Sequence, residues 1–218
     1  MSCCCPHAQS AGRLFSFFAA RYRKRFERKG FEPPQKQLFA GIKQAGFQDS
    51  SILEIGCGVG YFHQTLLENG AASAVGVELA ANMIAQAKDR AKQINISDRT
   101  AYLQGDFISL ADEIMPADLT LLDKVICCYP DADTLVHKSL QKTQRVYAVI
   151  YPRDRLLTKV GVSIGAFLMR LVCSDFRPYV HDPKKIEQWV SEAGFEKVYE
   201  NTTAVWLAQV YKKPSDKG

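Results

Sequence analysis

The sequence predicts an α/β fold, a doubly wound and mostly parallel sheet of seven strands that ends in an antiparallel hairpin. Short apolar segments alternate with amphipathic segments from residue 51 to residue 151, which is the order of a parallel sheet covered by helices on both faces. In the tail, two strand patterns are joined by residues 201–203 alone. Three residues are too few for a parallel crossover, so these last two strands are predicted to be antiparallel.

Two helices are predicted before the first strand. Apolar residues at a spacing of four indicate an amphipathic helix over 10–29, which ends at Gly30. Pro33 and Pro34 favour the first positions of a second helix, which runs through Gln44. The strands are then predicted at 51–55, 73–78, 100–104, 118–123, 145–151, 197–200 and 204–211, and the later helices at 61–69, 80–93, 107–114, 131–142 and 183–194.

Length and composition predict one domain. A chain of 218 residues with 47% hydrophobic residues buries a full core. The domain is expected over 10–212, between a flexible cysteine-rich N-terminus (1–9) and a flexible tail (213–218). The N-terminal helices (10–46) are expected to form a lid. An apolar helical insertion over 154–182 is expected to cover the ligand site, with a dimer surface or a membrane-surface contact as alternatives.

Charge and cysteine usage exclude several classes of protein. The net charge of +5 is concentrated in residues 1–30, where a solvated helix face is favoured over a nucleic-acid or anionic-lipid patch. No segment has the ~18 consecutive apolar residues of a membrane span or the pattern of a secretory signal, so a cytoplasmic location is expected. The seven cysteines are expected to be reduced thiols.

The cysteine run at the N-terminus predicts no metal site. Cys3, Cys4 and Cys5 lack the C-x-x-C spacing that presents two sulfurs to one zinc ion. Capture of a soft ion or metalloid by this run is kept as an alternative. The sequence sets no oligomeric state.

A glycine turn follows the first predicted strand and marks the ligand site. Gly56, Gly58 and Gly60 stand at alternate positions, which a chain needs where its backbone bends sharply and a ligand approaches it closely. Glu78 lies about 20 residues downstream, where a second strand brings a carboxylate to a ribose diol. Glu54 would repel a pyrophosphate but accept hydrogen bonds from a cationic amino group. The pattern therefore favours a nucleoside cofactor that carries a cation.

This pattern resembles motif I of the class I S-adenosylmethionine-dependent methyltransferases, which have a Rossmann-like fold. The resemblance implies methyl transfer from S-adenosylmethionine to a small-molecule acceptor by in-line displacement. It implies that Asp106 accepts from the adenine amine, although a helix N-cap is an equal reading of Asp106. The cofactor-binding residues are expected to be Glu54, Gly56, Cys57, Gly58, Gly60, Glu78, Leu79, Asp106, Phe107 and Asp123.

The acceptor side resembles the magnesium-protoporphyrin O-methyltransferase family and related bacterial methyltransferases, through residues 128–130, 151–153 and 176–181. Tyr129, His181 and Cys128 are expected to be the catalytic residues, which the resemblance implies lie at the acceptor. Those porphyrin enzymes carry His-Tyr-Pro where this chain has Cys128-Tyr129-Pro130, so the expected base for a carboxyl acceptor is absent. A thiol, chalcogen or metalloid acceptor that uses Cys127 and Cys128 is an alternative, and so is a porphyrin carboxyl group.

Two further expectations complete the sequence-based picture. His63, in the helix after the glycine turn, is predicted to lie at the surface. A different class of protein also fits part of the pattern, a non-catalytic or RNA-binding Rossmann module that uses the basic N-terminal helix.

Overall fold

The structure, a computed structural model, describes residues 6–155, 158 and 177–214, with side chains from residue 16 onward. The helices are α1 (Pro6–Lys29), α2 (Pro33–Ala45), α3 (Tyr61–Glu68), α4 (Ala81–Gln93), α5 (Phe107–Leu110), α6 (Ala132–Gln141) and α7 (Pro183–Glu192). The strands are β1 (Ser51–Ile55), β2 (Ser73–Glu78), β3 (Thr100–Gln104), β4 (Ala117–Asp123), β5 (Thr143–Pro152), β6 (Glu196–Thr202) and β7 (Trp206–Lys212).

These strands form one seven-stranded sheet in the order β3-β2-β1-β4-β5-β7-β6. The first five strands pair in parallel, and β7 is antiparallel to both β5 and β6. The predicted fold class, including its antiparallel C-terminal hairpin, is confirmed. Since β1 and β4 are neighbours that lead to helices on either side, the carboxyl ends of β1, β2 and β4 open onto one crevice.

The sheet has an apolar core on each face. One core contains Leu38 and Ile42 of α2 with Leu66 of α3, and the other contains Leu135 of α6 with Ile186 of α7. All five side chains are fully buried. Strand β4 lies between both cores, and its leucines at 119, 121 and 122 are fully buried. Burial on both faces explains why apolar side chains occur at both odd and even positions in the interior of β4.

The N-terminal helices differ slightly from their predicted bounds. Helix α1 begins at Pro6, so residues 6–9 of the predicted flexible N-terminus are helical. Helix α1 ends before Gly30, whose φ of 63° lies in the left-handed region that favours glycine. Helix α1 packs against α4, and α2 packs against β5, β6 and β7.

Most of the predicted insertion over 154–182 lies outside the described residues, namely 156–157 and 159–176. The described residues 177–182 form no helix and lead directly into α7. Among the helices that the structure describes, none is both long and apolar enough to cross a bilayer.

Candidate active site

A cavity of about 250 Å³ lies at the carboxyl ends of β1, β2 and β4. It is closed on one side by α1 and the start of α2, which contribute Tyr22, Phe26 and Gln35. Its lining includes predicted site residues from four segments of the chain: Glu54, Gly56, Cys57, Gly58, Glu78, Leu79, Phe107, Asp123, Cys128 and Tyr129. The sheet therefore brings most of the predicted site residues to one place.

The three glycines of the glycine turn (residues 56–60) have different surroundings. All three have positive φ, between 53° and 78°. A Cβ at Gly56 would lie 2.6 Å from Val125, and one at Gly60 would lie 2.8 Å from Gln64. A Cβ at Gly58 would meet nothing within 4 Å. Gly58 is thus the point at which the turn leaves room for a ligand, whereas Gly56 and Gly60 allow close packing within the protein.

Cys57, between two of these glycines, is buried. Its Sγ lies so close to β2 that a Cβ at Gly76 would come within 2.7 Å of it. Burial raises the pKa of the Cys57 thiol well above its usual value. Cys57 is therefore a protonated packing residue in the wall of the cavity.

The carboxylate of Glu78 is held in place by the backbone. Its Oε2 accepts from the N–H of Gly58 and its Oε1 accepts from the N–H of Ala80, both at 2.9 Å. Burial raises the pKa of Glu78, and the backbone donors oppose that shift. With a further backbone donor at Leu79, the carboxylate still has room to accept at least one hydrogen bond from a ligand.

Glu54 is buried at the floor of the cavity, and its main partner is His63. Its Oε2 accepts from the backbone N–H of His63 at 3.1 Å and from Nδ1 of the same residue at 2.5 Å. The prediction that His63 lies at the surface is wrong, because its side chain is fully buried. The first turn of α3 faces the sheet here, so a residue in it points inward despite its polar character.

Asp123, the last residue of β4, has one satisfied and one unsatisfied oxygen. Its Oδ2 accepts from Nε2 of Gln35 at 2.5 Å. Its Oδ1 is buried and has no hydrogen-bond partner among the described residues. Burial raises the pKa of Asp123 to about 6. Buried polar atoms are rarely unpaired, so this oxygen is poised to accept from a ligand.

Two cations line the cavity, and both are paired. Glu32 forms ion pairs with Arg25 and with Lys124. Burial alone would raise the pKa of Glu32, but these two cations outweigh it and lower the pKa. Lys124 has a φ of 61°, unusual for a residue with a side chain. The Glu32 carboxylate is thus paired with cations of the protein itself, and these ion pairs connect α1 to the segment after β4.

The segment after β4, residues 124–130, forms a loop that we call the β4 loop. Cys127 and Cys128 both donate from Sγ to the carbonyl of Lys124, at 3.3 and 3.5 Å. The contact with Cys127, together with burial, raises the pKa of the Cys128 thiol well above its usual value. A raised pKa keeps Cys128 protonated near neutral pH, which does not favour a thiolate ligand.

Tyr129 and Asp106 form a pair. The Tyr129 hydroxyl donates to Oδ1 of Asp106 at 2.5 Å. Burial and the charge of Asp106 raise the pKa of Tyr129 well above its usual value. Asp106 stands at the N-cap position of α5, but its side chain makes no capping bond to the helix backbone. Its carboxylate instead fixes the ring of Tyr129 in the cavity wall.

His181 lies behind the β4 loop. Its Nε2 donates to the carbonyl of Tyr129 at 2.9 Å, and the N–H of Tyr179 donates to the carbonyl of Cys127 at 2.8 Å. Burial lowers the pKa of His181. The segment 179–181 therefore holds the β4 loop from outside, and it is Tyr129 and Cys128 that face the cavity.

Residues 35, 32 and 124 belong to the site although the sequence singled out none of them. Gln35, in the first turn of α2, lies 88 positions from its partner Asp123. Glu32, at the N-cap of α2, lies 92 positions from its partner Lys124. Their only local signal is the turn between Gly30 and Pro33, which is common to many helix starts. In the part of the chain that the structure describes, no three His, Cys, Asp or Glu side chains are arranged to hold a metal ion.

Residues 52–148 match the family model described as a methyltransferase domain. No curated protein matches the chain. Among solved structures, the chain is similar to magnesium protoporphyrin IX methyltransferase from Synechocystis PCC 6803 with bound SAM. The two share 14% identity over 98% of this chain and 100% of that chain, with a TM-score of 0.71.

Two other solved structures show how widely this fold is used. The [4+2]-cyclase SpnF has 12% identity over 96% of this chain and 97% of its own, with a TM-score of 0.71. Geranyl diphosphate C-methyltransferase from Streptomyces coelicolor A3(2) has 11% identity over 82% of this chain and 79% of its own, with a TM-score of 0.66. At these identities the likeness shows the fold alone. Residues 52–148 therefore match a methyltransferase domain, within a chain that has the fold of the class I, S-adenosylmethionine-dependent methyltransferases.

Proposed function

We propose that this protein transfers the methyl group of S-adenosylmethionine to a small, uncharged or cationic acceptor that enters between the cofactor and the β4 loop. The observation that carries the proposal is the set of open acceptor oxygens around the cavity. Oδ1 of Asp123 is unpartnered and Oε1 of Glu54 has no hydrogen bond among the described residues, while Glu78 retains lone-pair capacity beside its backbone donors.

The residues present fit the cofactor. Glu78 offers lone pairs for a ribose diol, and the open space at Gly58 admits a ligand against the backbone. Oε1 of Glu54 and the unpartnered Oδ1 of Asp123 offer two acceptors for a cationic amino group. Glu54 pairs with Leu121 across β1 and β4, so Asp123, two residues farther along, lies on the same face of the sheet. Leu79 and Phe107 supply apolar walls for adenine.

When bound, the cofactor supplies an electrophilic methyl group on a positively charged sulfur. The protein's own contribution is alignment and exclusion of water, which are the main requirements of an in-line displacement. Tyr22, Phe26 and Tyr61 close the cavity from the side of α1. The ring of Phe26 stacks on Tyr61 with centroids 3.7 Å apart, which stabilises this wall.

Charge supports an acceptor without a carboxylate. Four acidic side chains line the cavity (Glu32, Glu54, Glu78 and Asp123) but only two basic ones, Arg25 and Lys124. Both cations are already paired with Glu32. Among the described residues, an anionic acceptor would therefore meet net negative charge and no cation that is not already paired. This disfavours a porphyrin carboxyl group as the acceptor.

The β4 loop supplies the polar groups nearest to the acceptor. The hydroxyl of Tyr129 already donates to Asp106, so it can still accept one hydrogen bond from an acceptor N–H or O–H. The Cys128 thiol presents a small, protonated surface beside it. A protic acceptor is thus positioned better than a carboxylate.

Isothermal titration with S-adenosylmethionine tests the cofactor assignment. We expect binding by the intact protein and a loss of about 10-fold or more in Glu78→Ala, which removes a hydrogen-bonding charged group. Glu113→Ala, at an exposed position in the turn after α5, is the matched control and should bind as the intact protein does. Absence of binding by the intact protein would overturn the proposal.

An acceptor panel tests the charge argument. Each carboxylic acid is paired with its amide, and an amine, a phenol and a thiol are added, with labelled cofactor as the methyl source. We expect label in one of the uncharged or cationic compounds. Label in the acids alone would contradict the proposed acceptor class.

The competing class, an RNA-binding module, has little support in the basic helix. Arg23 pairs with Glu27 and donates to Gln86 and Gln93 of α4, and Arg25 pairs with Glu32. These side chains are used in packing α1 onto the domain. RNA affinity with a steep salt dependence, lost on charge reversal at Arg21, Arg23 and Arg25, would favour the module instead.

A further inference from the structure

A chain of buried hydrogen bonds runs from the floor of the cavity to α4. Glu54 accepts from Nδ1 of His63 at 2.5 Å, and Nε2 of His63 lies 3.0 Å from the hydroxyl of Tyr102 on β3. Nε2 of Gln64 donates to the same hydroxyl at 2.7 Å, and Oε1 of Gln64 accepts from Arg90 at 2.6 Å. Nothing in the proposed transfer reaction uses His63, Tyr102 or Gln64.

The direction of each bond follows from the donors and acceptors available. Arg90 has only donors, so Oε1 of Gln64 must accept and its amide nitrogen must donate to Tyr102. The Tyr102 oxygen then accepts from Gln64 and also has a hydrogen bond with Thr100, and we assign its own proton to Nε2 of His63, 3.0 Å away. With Nε2 as an acceptor, the single ring proton of His63 is on Nδ1, where it donates to Glu54.

We infer that His63 is a positioning residue, held in its neutral Nδ1–H form by Tyr102, which orients Glu54 as a charged acceptor for the amino group of the cofactor. This inference rests on the proposed function. Both donors of His63 go to Oε2 of Glu54, the backbone N–H and the ring N–H. The other oxygen, Oε1, has no hydrogen bond among the described residues, and Glu54 lines the cavity. A doubly protonated imidazole would instead form an ion pair with Glu54 and donate from Nε2 to the Tyr102 oxygen.

The surroundings explain why one orientation persists. His63 is fully buried, and a Cβ at Gly60 would come within 3.0 Å of its ring. Burial raises the pKa of Tyr102 to about 12, so its hydroxyl keeps its proton near neutral pH. Arg90 is fixed in turn by Glu68 at 3.1 Å and by the face of Tyr61, 4.9 Å from its ring centroid. Each member of the chain therefore has its partners satisfied.

The first experiment reads the tautomer without any ligand. Nitrogen-15 NMR of the unliganded protein at pH 7 should show His63 as neutral, with its proton on Nδ1 and a bare Nε2. Tyr102→Phe removes the donor to Nε2 and should change the Nε2 shift. A proton on Nε2, or a charged imidazole, would overturn the inference whether or not the protein binds the cofactor.

The second experiment separates the two ends of the cofactor. His63→Leu removes the ring donor, and we expect S-adenosylmethionine to bind about 10-fold more weakly, the loss of one hydrogen bond to a charged group. Methylthioadenosine, which lacks the amino acid end, should bind to this variant within about twofold of the intact protein. His63→Asn retains a donor near the position of Nδ1 and should restore most of the affinity for S-adenosylmethionine.

The outcomes distinguish this inference from the proposed function. Equal losses for both ligands in His63→Leu would show a merely structural role and would overturn the inference. Glu78→Ala, which acts at the ribose, should weaken both ligands and serves as the matched control. If the intact protein bound neither ligand, the proposed function would fail, whereas the NMR result would still decide the state of His63.

Discussion

On the β1 and β2 side of the cavity, the carboxylates are held by nearby parts of the chain, whereas on the β4 side they are held by distant ones. Glu78 accepts from Gly58 and Ala80, 20 and 2 positions away. Asp123 depends on Gln35, 88 positions away, and retains an unpartnered oxygen. The difference teaches that the β1 and β2 side is a local motif carried by consecutive elements of the chain, while the β4 side is assembled by tertiary contacts.

The largest effect expected from this contrast is at the glycine turn. Gly58→Ala adds a methyl group where the protein leaves open space, at a φ of 53°. We expect a loss of unfolding free energy of only about 1 kcal/mol from backbone strain. We expect the affinity for S-adenosylmethionine to fall by about 100-fold or more, because the methyl group occupies the space of the ligand. Urea denaturation and calorimetry measure the two effects.

Gly56→Ala is the matched comparison within the same turn. Its Cβ would lie 2.6 Å from Val125 of the β4 loop, so the loss of unfolding free energy should be larger, about 2–4 kcal/mol. If Gly58→Ala bound the cofactor normally, the backbone of the turn would not contact the ligand.

The residues predicted for the β1 and β2 side of the site lie together for a physical reason. Strands β1, β2 and β3 have the bounds that their apolar patterns indicate, since each is flanked by turn residues. Gly58 and Glu78 meet because a parallel neighbour strand brings them together at a fixed spacing. Such spacing is a property of the sequence itself.

The contacts on the β4 side of the cavity could not be predicted in the same way. Nothing near Gln35 signals that its amide reaches Asp123, because this contact depends on how α2 packs across the sheet. The sequence predicts His63 at the surface because its side chain is polar. That polarity does not show that the first turn of α3 is buried against the sheet. The insertion that was expected to cover the site lies mostly outside the described residues. Sequence pattern alone therefore predicts contacts between consecutive elements, but not contacts that depend on how a distant helix packs on the sheet.

Asp123→Asn tests whether the buried charge of Asp123, on the β4 side of the cavity, lowers the stability of the protein while it favours cofactor binding. The pKa of Asp123 is raised from 3.8 to about 6, so between these pH values the native state holds a proton that the unfolded state has lost. The free energy of unfolding should then fall as pH rises from about 4 to about 6, by at most about 3 kcal/mol. Asparagine stays neutral, so the variant should lack this fall and have a higher Tm at pH 8, by roughly 5–10 °C.

The same variant should bind S-adenosylmethionine about 10-fold more weakly at pH 8, since a charged acceptor is lost. Binding by the intact protein should weaken below about pH 6, and this pH dependence should disappear in Asp123→Asn.

Asp118→Asn on the same strand is the control for stability, and its expected effect has the opposite sign. Burial alone would raise the pKa of Asp118, but bonds from Ser51 lower it, so its loss should destabilise the protein at neutral pH. If Asp123→Asn were less stable than the intact protein at pH 8, the buried charge of Asp123 would not carry the free-energy cost that its raised pKa indicates.

The smallest effect is expected at His181, which holds the β4 loop from outside. His181→Leu removes the bond from Nε2 to the Tyr129 carbonyl, so we expect a loss of about 1 kcal/mol in unfolding free energy and a Tm lower by about 2–4 °C. Affinity for S-adenosylmethionine should stay within about twofold, because the cofactor side makes no contact with His181. With an acceptor in hand, the expected change is a higher KM at nearly constant kcat, the mark of a loosened loop. A large loss of kcat with unchanged Tm would instead place His181 among the groups that touch the acceptor.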